Sequence, residues 1–62
     1  MKGSIKFYNS SKGYGFIVAE NGDDVFFHKT SLGKTMVREN DKVEFETEQG
    51  KKGVNAINIR RI

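Results

Sequence analysis

Cysteine, proline and tryptophan are all missing from these 62 residues. Without cysteine, neither a disulfide framework nor a thiolate metal site can hold the chain together, and a protein that needs no oxidation suits a reducing cytoplasm. No stretch approaches the roughly 20 apolar residues of a membrane span, and Met1-Lys2-Gly3-Ser4-Ile5-Lys6 lacks the apolar run of a secretory signal. A cytoplasmic chain with no membrane partner is therefore expected. No internal repeat or low-complexity segment occurs, and no glycine-rich loop is followed by the lysine and hydroxyl that would cradle a nucleoside triphosphate. So short a chain has room for one domain, residues 1–62. It buries only about 60% of its unfolded surface, so its stability should be marginal.

Charge is present but unevenly spread. Lysine and arginine total 11 against 8 carboxylates, a net charge of +3 that mildly favours polyanions. Positions 1–19 hold Lys2, Lys6 and Lys12 and no carboxylate, whereas positions 39–48 hold Glu39, Asp41, Glu44, Glu46 and Glu48 against Lys42 alone. One part of the chain attracts phosphate and another repels it. A single surface lysine is ordinarily just solvated; it is the segregation that points to an anionic partner.

Strand signals dominate the rest. Residues 2–9 read as a strand with Ile5 inward, followed by the polar turn Asn9-Ser10-Ser11-Lys12-Gly13. A second strand covers 14–19, and Asn21-Gly22, both tolerant of the positive φ of a hairpin turn, leads into a third over 24–28. Thr30-Ser31-Leu32-Gly33 suits one helical turn capped by a hydroxyl and stopped by glycine, with loop from there to Asn40. Residues 42–48 alternate strictly, sending Val43 and Phe45 inward and Glu44, Glu46 and Glu48 outward. After the basic turn Gly50-Lys51-Lys52-Gly53, residues 54–62 form a fifth strand in which Ile57 and Ile59 alternate with Asn58, and the adjacent Ala56-Ile57 pair suggests a bulge. Five short strands, 7 glycines and no convincing helix predict an all-β fold, a five-stranded antiparallel OB-fold barrel, because so small a sheet needs closure to remove its edges.

Two runs carry the functional signal, Lys12-Gly13-Tyr14-Gly15-Phe16-Ile17 and Val25-Phe26-Phe27-His28. Alternation along paired strands puts Tyr14, Phe16, Phe26 and His28 on one face, where π surfaces can stack on unpaired bases, and Ile17, Val25 and Phe27 on the other. Gly13 and Gly15 flank the first two rings with no side chain to hide them. Taken singly, each phenylalanine would ordinarily be core. Here Ile5, Ile17, Val25, Phe27, Val43, Phe45, Ile57 and Ile59 already fill the interior, which leaves the second aromatic group exposed and in need of a ligand. His28 has the alternative of being a partly buried structural histidine.

These two runs, at this separation, resemble the two ribonucleoprotein motifs of bacterial-type cold-shock proteins, OB-fold binders of single-stranded RNA and DNA. The likeness extends over essentially the whole chain, with Gly3 through Asn9 before the first motif and Asp23-Asp24 before the second. Carried onto the matching positions, it implies a nucleic-acid face of Lys6, Phe7, Tyr8, Lys12, Tyr14, Phe16, Phe26 and His28, with Lys52 in the loop before the last strand. The chain departs from the family pattern in strand one, where Phe7-Tyr8 replaces the usual tryptophan-phenylalanine pair and offers a smaller stacking surface. Lys29 stands where an aromatic residue is common, and the loop after it is shorter and has no aromatic residue, so a phosphate contact is expected in place of a stacking platform. Val54 stands near the family's proline in the final loop, which implies a looser loop.

The expected mechanism is stacking on Tyr14, Phe16, Phe26 and His28, extended by Phe7 and Tyr8, with Lys6, Lys12, Lys29 and Lys52 meeting phosphates. Neither cofactor nor metal enters, and a monomer is the simplest expectation. The resemblance implies an RNA chaperone that traps unpaired strands without ATP. A nuclease built on His28 with Asp23 or Asp24 is a poor alternative, because one histidine supplies a single acid–base group and no metal-ligand cluster appears. A barrel that binds peptide on its aromatic face is a second alternative, since proline-rich segments also dock on aromatic grooves.

Overall fold

A computed structural model of the chain describes residues 1–50 and 53–62. The strands are β1 (Lys2–Asn9), β2 (Tyr14–Ala19), β3 (Asp24–His28), β4 (Lys42–Gly50) and β5 (Gly53–Arg61), with a 3-10 turn at Lys29–Leu32 between β3 and β4. They close into a barrel in the order β1-β2-β3-β5-β4. β1 pairs antiparallel with β2 and with β4, as do β2 with β3 and β4 with β5. The seam between β3 and β5 is parallel, through Phe26 and Asn55. Closure gives each strand a neighbour on both sides, which is how so small a sheet limits the open edge that would template aggregation.

The first two hairpins are local and follow their turn chemistry. Gly13 adopts φ 76° and donates its N–H to the Asn9 carbonyl at 2.7 Å. At the β2–β3 turn only Gly22 is left-handed, at φ 93°, with its N–H on the Ala19 carbonyl at 2.8 Å. Asn21, expected to share the positive φ, instead serves through its side chain, whose Oδ1 accepts the Asp23 N–H at 3.0 Å. That is the three-residue hairpin with a glycine bulge rather than a two-residue turn.

Ile5, Ile17, Val25, Phe27, Val43, Phe45 and Ile59 are buried as the alternation requires. Ile57 is not: it is half-buried, and Ala56 takes the inward position. The reason is a bulge lying further along than the sequence suggested. The register jumps from Glu46↔Ile57 to Glu44↔Arg60, so Asn58 and Ile59 together oppose Phe45, and Asn58 takes φ 51°. The extra residue resets the phase, and Ile59 returns to the core. Leu32 and Val37 join the core from outside the strands.

The 3-10 turn forms where one helical turn was expected, and Gly33 ends it at φ 58°. Its cap is not a hydroxyl, however. The His28 imidazole accepts the Thr30 N–H, which is the donor that such a turn leaves unpaired.

Candidate nucleic-acid interface

The β2–β3 hairpin sets the site. Phe16 stands opposite Phe26 and Tyr14 opposite His28, and on the other side of β2 Phe7 stands opposite Phe16. Residues directly opposite in an antiparallel pair share a face, so these side chains form one continuous patch. Phe16 and Phe26 meet at a centroid separation of 5.7 Å and an interplanar angle of 73°, Tyr14 and Phe26 at 6.0 Å and 21°, and Phe7 and Tyr14 at 5.9 Å and 51°. Phe7 and Phe26 retain 38% and 37% of their surface exposed, while Tyr14 and Phe16 are half-buried by their neighbours. The rings expected to share a face do so, and they support one another.

Tyr8 goes elsewhere. A register shift between Ile5 and Phe7 inserts Lys6 as an extra residue in β1, which turns Phe7 outward and Tyr8 inward opposite Gly15. Tyr8 stacks on the buried ring of Phe27 at 5.6 Å and 26° and packs against the core. Gly15 makes this possible, since a Cβ there would lie 2.3 Å from the Phe7 carbonyl oxygen and 2.7 Å from Phe27 Cζ. Tyr8 therefore supports the platform from beneath instead of extending it.

The lysines lie at both ends of the patch. Lys6 donates to Asp24 at 3.0 Å, spanning β2 at the end where Val18 pairs with Asp24. Both partners are exposed, and such pairs contribute roughly 0–1 kcal/mol, so an incoming phosphate can compete for the ammonium. Lys12 and Lys29 belong to the opposite end, beside Tyr14 and His28. The Lys12 N–H is held by Asn9 Oδ1 at 3.0 Å, and the Lys29 N–H by the Gly13 carbonyl at 2.9 Å. The Lys29 stem passes over Gly13, where a Cβ would lie 3.2 Å from its Cδ, and both lysines are exposed. Lys52 lies outside the described residues.

His28 is exposed at the end of β3, tied by Nδ1 to Thr30, whose N–H and Oγ1 lie at 3.2 and 3.1 Å. This excludes the partly buried structural histidine. Asn55, brought beside Phe26 by the parallel seam, is a polar neighbour that strand patterning had not picked out. No local signal could have done so, because the pairing joins segments far apart in the chain.

The acidic strand is kept away from the rings. β4 shares no seam with β2 or β3. Glu44 accepts from Arg60, and Glu46 accepts from Asn58 Nδ2 at 3.2 Å. The hydrogen bond and the charge of Arg60 hold the Glu44 carboxyl below its usual range. A groove of about 820 Å³ runs between the 3-10 turn and β4–β5, bordered by Glu44, Glu46 and Arg60. No ring of the aromatic patch lines it, as expected of a stacking surface, which offers exposed ring faces to bases and not an enclosed cavity. Among the described residues, no group of three or more His, Cys, Asp or Glu is placed to hold a metal ion, and no helix is long and apolar enough to cross a membrane.

Comparison with known proteins adds an independent line. The family model of the 'Cold-shock' DNA-binding domain matches residues 1–62. The chain is similar to the cold shock protein CspC of Bacillus subtilis, 43% identical over 63 residues that cover 97% of this chain and 96% of the relative. It is also similar to the major cold shock protein of Micrococcus luteus, 45% identical over 64 residues (97% and 96%), and to the cold shock-like protein of Thermotoga maritima, 41% identical over 63 residues (97% and 96%).

Proposed function

Since the chain belongs to the cold-shock domain family, whose members bind nucleic acid, we propose that it is a sequence-tolerant binder of single-stranded RNA and DNA that acts as an RNA chaperone. The supporting observation is the cross-strand patch of Phe7, Tyr14, Phe16, Phe26 and His28, solvent-facing and flanked by Lys6 at one end and Lys12 and Lys29 at the other. Stacking on aromatic side chains contributes about 1–3 kcal/mol per base and tolerates every base, so several platforms yield useful affinity with weak sequence preference. Bases inside a duplex are not available to stack. A protein that holds unpaired strands disfavours their hairpins by mass action, with no motor and no catalytic step. We place it in the cytoplasm as a monomer working as one domain, with Lys52 a further phosphate contact.

Peptide binding on the same rings is the alternative, and the flanking lysines weigh against it. Titration with seven-nucleotide oligo-dT and oligo-U at two salt concentrations, followed by tyrosine fluorescence, separates the two. Neutralising three or four phosphates gives a slope of log K against log salt of about −2 to −3 for a single strand. Salt-sensitive binding that Phe16→Ala/Phe26→Ala weakens by more than about tenfold is the expected result. Salt-insensitive affinity for a peptide, with none for either oligonucleotide, would overturn it.

A further inference from the structure

We propose that Thr30 is a positioning residue for His28: it holds the imidazole in the tautomer protonated at Nε2 and so directs that N–H at an acceptor atom of the bound strand. This rests on the nucleic-acid reading of the ring face and states what its histidine does there.

Two contacts from Thr30 converge on a single ring nitrogen. The Thr30 backbone N–H donates to Nδ1 at 3.2 Å, and the Thr30 Oγ1 lies 3.1 Å from the same atom. A peptide N–H can only donate, so Nδ1 presents its lone pair, and in the neutral ring the proton resides on Nε2. In that tautomer the hydroxyl, whose proton rotates freely, can share the same lone pair as a second, bifurcated donor. The backbone on both sides is already held: His28 is in register with Tyr14, and the Lys29 N–H is bonded to the Gly13 carbonyl at 2.9 Å. What remains free is rotation of the ring, and Thr30 restrains it.

The capping bond and the outward donor thus enforce each other. An acceptor at Nδ1 ends the 3-10 turn's need for a cap, and the same choice leaves a donor on the solvent-facing edge. A donor-only edge meets carbonyl and ring-nitrogen acceptors of bases or the oxygens of phosphate. It adds direction to the contact without selecting one base.

Long-range 1H–15N spectra of the 15N-labelled protein, recorded at a pH where the ring is neutral, read the tautomer directly. The expected pattern is a lone-pair-type Nδ1 and a protonated-type Nε2. Thr30→Val keeps the branching and removes the hydroxyl. It should move the two nitrogen signals toward each other and weaken oligo-dT heptamer binding about two- to tenfold, the range of one neutral hydrogen bond, with the salt slope unchanged. Thr30→Ser should restore both. If the loss persists with a methylphosphonate-substituted oligo-dT, the acceptor is on a base; if it disappears there, the acceptor is a phosphate oxygen.

A protonated Nδ1 in the wild type, or a Thr30→Val protein with wild-type spectrum and affinity, would overturn the proposal. Thermal melting checks that Thr30→Val is folded, and Thr30→Ala takes its place if it is not. If no form of the protein binds oligonucleotide, the functional reading fails, whereas the ring pattern of the free protein still decides the assignment of the tautomer and of Thr30.

Discussion

Phe16 and Phe26 face each other in register across β2 and β3, with centroids 5.7 Å apart and ring planes inclined at 73°. Edge-to-face contact is a favourable arrangement of two aromatic quadrupoles, contributing about 0.5–1.5 kcal/mol beyond burial. Each ring therefore restrains the other in the free protein. A platform assembled in the free protein loses less side-chain freedom on binding, and that raises affinity.

Because the two rings touch, their substitutions should be coupled. Phe16→Ala and Phe26→Ala are each expected to weaken oligo-dT binding about tenfold, within the range for one stacked base. The double variant should lose less than the product of the two. A double-mutant cycle on the dissociation constants checks this, and strictly additive losses would mean that the rings work independently.

Tyr8→Ala should act on stability first. Its ring lies on Phe27 inside the β1–β2 hairpin, so removing it opens a gap beside a fully buried side chain. A loss of about 2 kcal/mol is expected for a half-buried aromatic residue, read by urea denaturation followed by circular dichroism. Tyr8→Phe keeps the stack and should leave both stability and oligonucleotide affinity close to wild type. A large drop in affinity for the phenylalanine variant would place the Tyr8 hydroxyl in the interface.

Gly15→Ala tests the close approach beneath the platform. The added methyl meets backbone as well as the Phe27 ring, and the Phe7 carbonyl cannot swing away as a flexible side chain would. Overpacking of this kind destabilises by about 1–3 kcal/mol. An alanine variant as stable as wild type in the same denaturation experiment would show that β1 and β2 can separate freely at this point.

Lys6→Gln separates phosphate attraction from fold. Its pairing with Asp24 is on the surface, so folding stability should change by less than about 1 kcal/mol. If Lys6 leaves Asp24 for a phosphate, affinity falls for all single strands alike and the salt slope becomes shallower by about 0.7. Titrations at several salt concentrations distinguish this from a loss confined to one sequence.

Glu44→Gln probes the acidic face. Arg60 lowers the Glu44 pKa in the folded state. A carboxyl so depressed contributes stability that is present above its unfolded pKa and disappears as pH falls through the folded one. The glutamine variant should therefore melt slightly below wild type at neutral pH, with the gap closing on acidification below the ordinary glutamate range. Arg60 is exposed and Glu44 only half-buried, so added salt should also narrow the gap. Oligonucleotide affinity should not decrease, because β4 lies away from the rings.

What the sequence determined by itself was local in origin. Strict alternation assigned Phe16 and Phe26 to one face and Ile17, Val25 and Phe27 to the other, since the period of a strand is two and the β2–β3 hairpin pairs near neighbours. Glycine at positions 13, 22 and 33 marked the turns, because a left-handed backbone is open to it at no steric penalty. The segregation of lysines from carboxylates was likewise visible before any fold.

Tertiary structure alone decided the remainder. An extra residue at Lys6 sends Tyr8 inward, and another at Asn58 moves Ile57 out and Ile59 in; a one-residue slip reverses every face beyond it, and only pairing with another strand shows where the slip falls. Asn55 reaches Phe26 through the parallel seam, and Lys6 reaches Asp24 across β2. His28 became the cap of the 3-10 turn because an imidazole nitrogen at the end of β3 lies within reach of the Thr30 N–H, a matter of distance that residue type could not announce.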